Sequence, residues 1–138
     1  MALDLLARQE FLAEPHVAAL SVAHPGRAPL TVPVWYQYTP GAELRVVTPS
    51  ESRKAALIRA AGRFSMLVDR IAPSVRYVSV EGPVSGMRPG TAKDVRTMAD
   101  RYLPPEQADA YVAIALATHG EQVVISMRTE HWLSADLG

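Results

Sequence analysis

The tripeptide Ser52-Arg53-Lys54 puts a hydroxyl and two fixed cations at one point of the chain, directly after the polar loop Pro49-Ser50-Glu51-Ser52. Ala55, Leu57, Ile58 and Ala61 then follow at helical spacing and Gly62 ends the run, so the cluster heads a short helix predicted over Arg53–Ala61. A helix N-terminus offers free backbone N–H donors, and with cations beside them it suits a phosphate or a similar anion. The helix dipole prefers acids at that end. Cations set against this preference favour anion binding over the plainer alternative, a Ser-capped and solvated first turn. Thr48 and Ser50 add hydroxyl donors in the same stretch.

Little else in the sequence offers chemistry of its own. The 138 residues include no cysteine, which removes disulfides, a thiolate nucleophile and cysteine-ligated metal centres. Any redox chemistry must therefore come from a bound cofactor. His16, His24, His119 and His131 are scattered, with no two on one helical face, so no metal site is expected. No nucleophile triad or paired-carboxylate motif stands out. Glu81, beside Gly82, reads as a partner for an arginine rather than as a general acid.

With 14 basic and 14 acidic side chains the formal net charge is zero, so no global field gathers nucleic acid or anionic lipid, and neither is expected as a partner. The start Met1-Ala2-Leu3-Asp4 carries an acid where a signal peptide needs a base. No apolar run approaches the roughly 18–20 residues of a membrane span. A cytoplasmic location and one domain over residues 1–138 are expected.

The elements that must hold the cluster follow from periodicity. A short amphipathic helix is predicted over Leu3–Leu12, stopped by Pro15, and a first hairpin over 16–38 around His24-Pro25-Gly26-Arg27. Its second arm alternates Leu30, Val32, Val34, Tyr36 and Tyr38 against Thr31, Pro33, Trp35 and Gln37. Trp35 and Tyr36 therefore face opposite ways, one to the core and one to a groove. A third strand, 43–48, is expected to complete a meander after Thr39-Pro40-Gly41-Ala42. Further strands are predicted over Arg63–Arg70 and Val75–Met87, the latter bulged at Glu81-Gly82-Pro83. Two helices split by Pro104-Pro105 and a last strand over 121–128 follow, and the region from Asp94 to Arg101 reads as a solvated helix face. The aromatic tail after it, from Thr129 to Asp136, is given no regular structure.

This order of elements, with Pro33-Val34-Trp35-Tyr36, Thr48 to Lys54, Val78-Ser79-Val80-Glu81-Gly82 and His131-Trp132-Leu133, resembles the pyridoxamine 5′-phosphate oxidase-like split-barrel family over nearly the whole chain. It looks most similar to the short actinobacterial branch that uses coenzyme F-420 or a flavin. The resemblance implies a mainly β fold, a six-stranded antiparallel split barrel with short peripheral helices. It further implies a homodimer with the cofactor ring in a groove shared by both copies. Thr48, Ser50, Ser52, Arg53 and Lys54 would then hold the cofactor phosphate, and backbone groups around Val34, Trp35 and Tyr36 would face the ring. Tyr77 and Trp132 complete the candidate set, with packing in the core or at the dimer interface as the alternative for both.

The implied activity is hydride transfer between bound F-420, or else FMN, and a small organic acceptor. Such chemistry belongs to the cofactor and needs no side-chain nucleophile. A carrier or redox sensor without turnover would use the same phosphate cluster. A haem- or tetrapyrrole-binding split barrel is a third reading.

Overall fold

The computed structural model describes residues 1–118 and 120–138; His119 lies outside the described residues. The chain runs through helix α1 (Leu5–Ala13), strands β1 (Ala18–Val22), β2 (Leu30–Val34) and β3 (Leu44–Pro49), helix α2 (Arg53–Ala61), and strands β4 (Arg63–Arg70) and β5 (Arg76–Gly90). Helices α3 (Ala92–Tyr102) and α4 (Pro105–Thr118) and strands β6 (Gln122–Met127) and β7 (His131–Asp136) complete it. Every strand pairing is antiparallel, and the order across the curled sheet is β2-β1-β4-β5-β6-β3. The result is a mainly β split barrel with peripheral helices. Among the described residues no helix is long and apolar enough to cross a membrane.

The first hairpin forms, with the Arg27 N–H donating to the His24 carbonyl at 3.0 Å and Gly26 supplying φ 77° in the turn, but its second arm stops at Val34 instead of running to Tyr38. The meander does not form. β3 pairs along its whole length with β6, from Leu44 opposite Met127 to Pro49 opposite Gln122, at the far end of the sheet from β2. The turn at Thr39-Pro40-Gly41-Ala42 joins the two ends through one bridge, in which Gln37 and Arg45 exchange N–H···O bonds of 2.9 and 3.0 Å. That bridge closes the barrel. Periodicity marks both segments as strands and says nothing about which neighbour each takes.

The aromatic tail is a seventh strand where six strands were expected, and its register explains the difference. β6 pairs with the second half of β5, ending with Gly90 opposite Gln122, and β7 pairs with the first half, from Glu81 opposite His131 to Arg76 opposite Asp136. The two are successive parts of one path along the same edge of β5, broken over residues 128–130 and held there by N–H bonds from Arg128 to Pro83 and from Glu130 to Glu81. The register shift lies between Val84 and Gly86 rather than at Glu81-Gly82-Pro83. Gly82 serves close packing instead, since a Cβ there would lie 1.7 Å from the Arg128 carbonyl oxygen and only glycine allows the two backbones to approach.

Alternate side chains of β1, β4 and β5, such as Leu20, Met66 and Val80, fill the barrel interior, and α1 and α2 plug it with Phe11, Leu12, Ala55 and Ile58. Helix α2 ends on Gly62 in the left-handed conformation, as its sequence predicts. A second, smaller core of Val95, Ala99, Ala108, Val112 and Ala115 joins α3 to α4, with Val47 of β3 packed against it. The Asp94 region is more than a solvated face. Asp94 closes a capping box with Thr91 and takes both arms of Arg88 at 2.8 Å, tying α3 to the end of β5.

Gly82→Ala is expected to destabilise the fold by about 3 kcal/mol or more, because backbone rather than a flexible side chain occupies the space. Gly86→Ala, which meets nothing within 4 Å, is the control and should stay within about 0.5 kcal/mol in urea unfolding.

Candidate functional site

A cavity of about 330 Å³ opens where the ends of β2 and β3 and the first turn of α2 meet the α3–α4 pair. Its two ends differ in chemistry. One is polar, with Thr48, Lys54 and Gln122; the other is apolar and aromatic, with Val17, Trp35, Met98 and Tyr111.

The polar end is built by the β3–β6 ladder, which buries Thr48 opposite Val123 and carries the chain into the α2 turn. Ser52 caps α2 by accepting the Ala55 N–H at 3.2 Å, and its hydroxyl lies 3.4 Å from that of Thr48. The amides of Arg53 and Lys54, first in the helix, have no acceptor among the described residues. The Lys54 ammonium also has no carboxylate or hydrogen-bond partner among them, and burial pushes its pKa below the ordinary lysine value. A half-buried cation without a counter-charge beside two orphan N–H groups is a receptor for an anion.

The aromatic end depends on Tyr102, the last residue of α3. Its hydroxyl accepts the Tyr36 N–H at 3.1 Å and lies 2.8 Å from the His16 carbonyl and 3.1 Å from that of Tyr36, fixing the backbone where the chain leaves β2. The Tyr102 ring stacks on Trp35, with centroids 4.8 Å apart and planes 13° apart, and Tyr111 leans against the indole at 5.0 Å.

The candidate residues are thus distributed unevenly. Val34, Trp35, Thr48 and Lys54 line the cavity, with Ser52 touching Thr48 behind its wall. Arg53 is exposed at the same helix end. The Ser50 hydroxyl donates to the Glu121 carbonyl at 2.8 Å, which fastens the loop to β6. Tyr36 turns the other way, fully buried, with its hydroxyl 2.7 Å from the Leu12 carbonyl; burial first and then Tyr102 push its pKa up. Tyr77 sits on β5 opposite Asp69 and Ala135, apart from the cavity lining. Trp132 packs edge-on to Tyr38 under the Arg8 guanidinium and borders a separate groove with Leu5 and Gln9.

Sequence reasoning missed Val17, Met98, Tyr111 and Gln122, which come from segments read only as helix, loop or strand. The one available signal was Tyr111, a lone aromatic in the otherwise small and aliphatic stretch Ala110 to Ala117.

The model of the family described as pyridoxamine 5′-phosphate oxidase matches residues 7–133. The chain belongs to this family. No curated protein matches it. Among solved structures, an F-420 reductase aligns at 23% identity and TM-score 0.72, covering 91% of this chain and 94% of the other. A conserved hypothetical protein of Mycobacterium tuberculosis aligns at 18% identity and TM-score 0.71, over 99% and 86% of the two chains. An FAD-binding protein of Mesorhizobium loti aligns at 20% identity and TM-score 0.64, over 99% and 95%. Likeness at these identities supports the split-barrel fold already described.

Replacing Lys54 separates stability from binding. Its ammonium is disfavoured by burial while no described residue offsets the charge, so Lys54→Met should raise the melting temperature of the ligand-free protein. The same variant should bind FMN or F-420 at least about tenfold more weakly, about 1.4 kcal/mol, measured by fluorescence titration.

Proposed function

We propose that this protein is an oxidoreductase that binds F-420 or FMN with the cofactor phosphate at the Lys54 end of its cavity. The observation that carries the reading is the partnerless Lys54 ammonium beside the two free N–H groups of α2, among the described residues. When bound, the deazaflavin or flavin supplies hydride transfer to or from a small organic acceptor. The chain does the rest. Lys54 and the α2 amides offset the phosphate charge, the Thr48 hydroxyl offers a further donor, and Val34, Trp35 and Met98 make a dry wall for an aromatic ring. The resemblance to an F-420 reductase in fold supports F-420 over FMN. The haem reading lacks this support, since no described histidine lines the cavity.

The same reading includes a homodimer. The helices leave the outer face of β2-β1-β4-β5-β7 uncovered, and one row across it runs Pro33, Ala19, Leu67, Ser79, Leu133. Leu67 and Leu133 are 43% and 65% exposed there, an apolar surface that a second copy can cover. Val17 and Pro33 border both this face and the cavity, so a partner on the face would complete the cavity wall.

Two measurements test the proposal. Reduced F-420 and reduced FMN, incubated with the protein and a panel of enones and quinones, should be oxidised in an acceptor-dependent way; tight binding without turnover would leave a carrier or sensor. Light scattering should give twice the chain mass with cofactor present, and Leu67→Glu should halve that mass and weaken cofactor binding together. A monomeric parent would remove the shared-site part of the proposal.

A further inference from the structure

Helix α4 buries Ala108, Val112 and Ala115 against α3, which accounts for its attachment without help from Tyr111. Tyr111 sits at the edge of that face, 40% exposed, and turns its ring to the cavity instead. It meets Trp35 at a 37° tilt, so the two rings form a shallow angle rather than a closed stack. Tyr102 does not line the cavity; it backs the indole from behind at a 13° interplanar angle, which leaves Trp35 and Tyr111 as the lining surface. The Tyr102 hydroxyl, bound at Tyr36 and His16, holds this support rigid. Met98, nearly buried, adds a polarisable thioether to the same end.

We infer that Tyr111 is a ring-binding residue: with Trp35 it forms an aromatic notch for a planar ring of the ligand whose anionic group occupies the Lys54 end, or of the acceptor that reacts beside it. The inference rests on the proposed cofactor reading and names the residue on α4 that selects for flat, conjugated ligands. The α3–α4 pair is thereby a specificity element hung on the outside of the barrel. A flat ring seated there can stack on one of the two aromatic rings and meet the other at an angle, whereas a saturated ligand of the same size offers neither of them a π face.

The test compares Tyr111→Ala, Tyr111→Leu and Tyr111→Phe with the parent chain, using FMN and F-420 fluorescence titrations and KM values for a planar quinone and an acyclic enone. Loss of ring quenching and about fivefold weaker cofactor binding in the Ala and Leu variants, recovered by Phe, is the result expected if the ring is the cofactor's. Unchanged cofactor binding with a raised KM for the quinone but not for the enone assigns the ring to the acceptor. Tyr111 is exposed, so circular dichroism of all three variants should match the parent. If the Ala and Leu variants equal the parent in every ring-dependent readout that the parent shows, the inference is overturned and the cofactor reading stands. A parent that binds neither FMN nor F-420 overturns the cofactor reading, and this inference with it.

Discussion

The rest of the molecule depends on β5, which is paired on one edge along nearly its whole length and on the other edge over its first half. Over residues 76–83 it carries β4 on one side, and its other edge carries β7 and then β6 in succession. This arrangement requires the backbone at Gly82 to lie against the Arg128 carbonyl, where no side chain fits. It also requires the register shift between Val84 and Gly86, which turns the second half of the strand toward β6 and β3. Without that turn β3 would have no ladder to join. The Gln37–Arg45 bridge could then not close the barrel, and the loop that leads into α2 would have no fixed origin.

The candidate site is a consequence of this geometry rather than an addition to it. The β3–β6 ladder ends with Pro49 opposite Gln122, so the chain leaves the sheet beside β6, where Ser50 is fastened to Glu121 by its N–H and its hydroxyl. From that anchor α2 starts with its free amides and Lys54 toward the cavity. On the opposite wall Tyr102 holds the Trp35–Tyr36 backbone, so that Tyr36 enters the core while Trp35 faces out. The Lys54 cation, which meets no counter-charge among the described residues, is held in a partly dry place at some cost to the ligand-free protein, a pattern expected where binding rather than stability sets the residue.

Much of the fold is legible in the sequence because local signals decide it. The helix over Arg53–Ala61 and the strand over Arg63–Arg70 can be read to the residue, since Ser52, Gly62 and a period-two apolar pattern mark their ends. The placement of Ser52, Arg53 and Lys54 at the head of α2 is legible for the same reason. Long-range matters escape such a reading. The pairing of β3 with β6, the role of Gly82 and the continuation of β6 into β7 depend on which strands meet, and one strand's alternation does not encode its neighbour. Tyr111 and Met98 escape because the α3–α4 pair reads as two ordinary helices until its placement over β3 is known. Trp132 and Tyr77 show the converse: an aromatic in a strand pattern is equally compatible with the cavity and with packing elsewhere.

Family membership and the cavity's divided chemistry meet in one claim, that an anionic flavin-type cofactor lies with its phosphate at Lys54 and its long axis toward Trp35. The most direct measurement is a crystal structure of the full chain with F-420 or FMN bound. The account predicts a phosphate within hydrogen-bond distance of the Lys54 ammonium and the first amides of α2, with the ligand running along Val34 and Trp35. A cofactor whose phosphate lies elsewhere, or a structure in which Lys54 touches no part of it, would contradict the account.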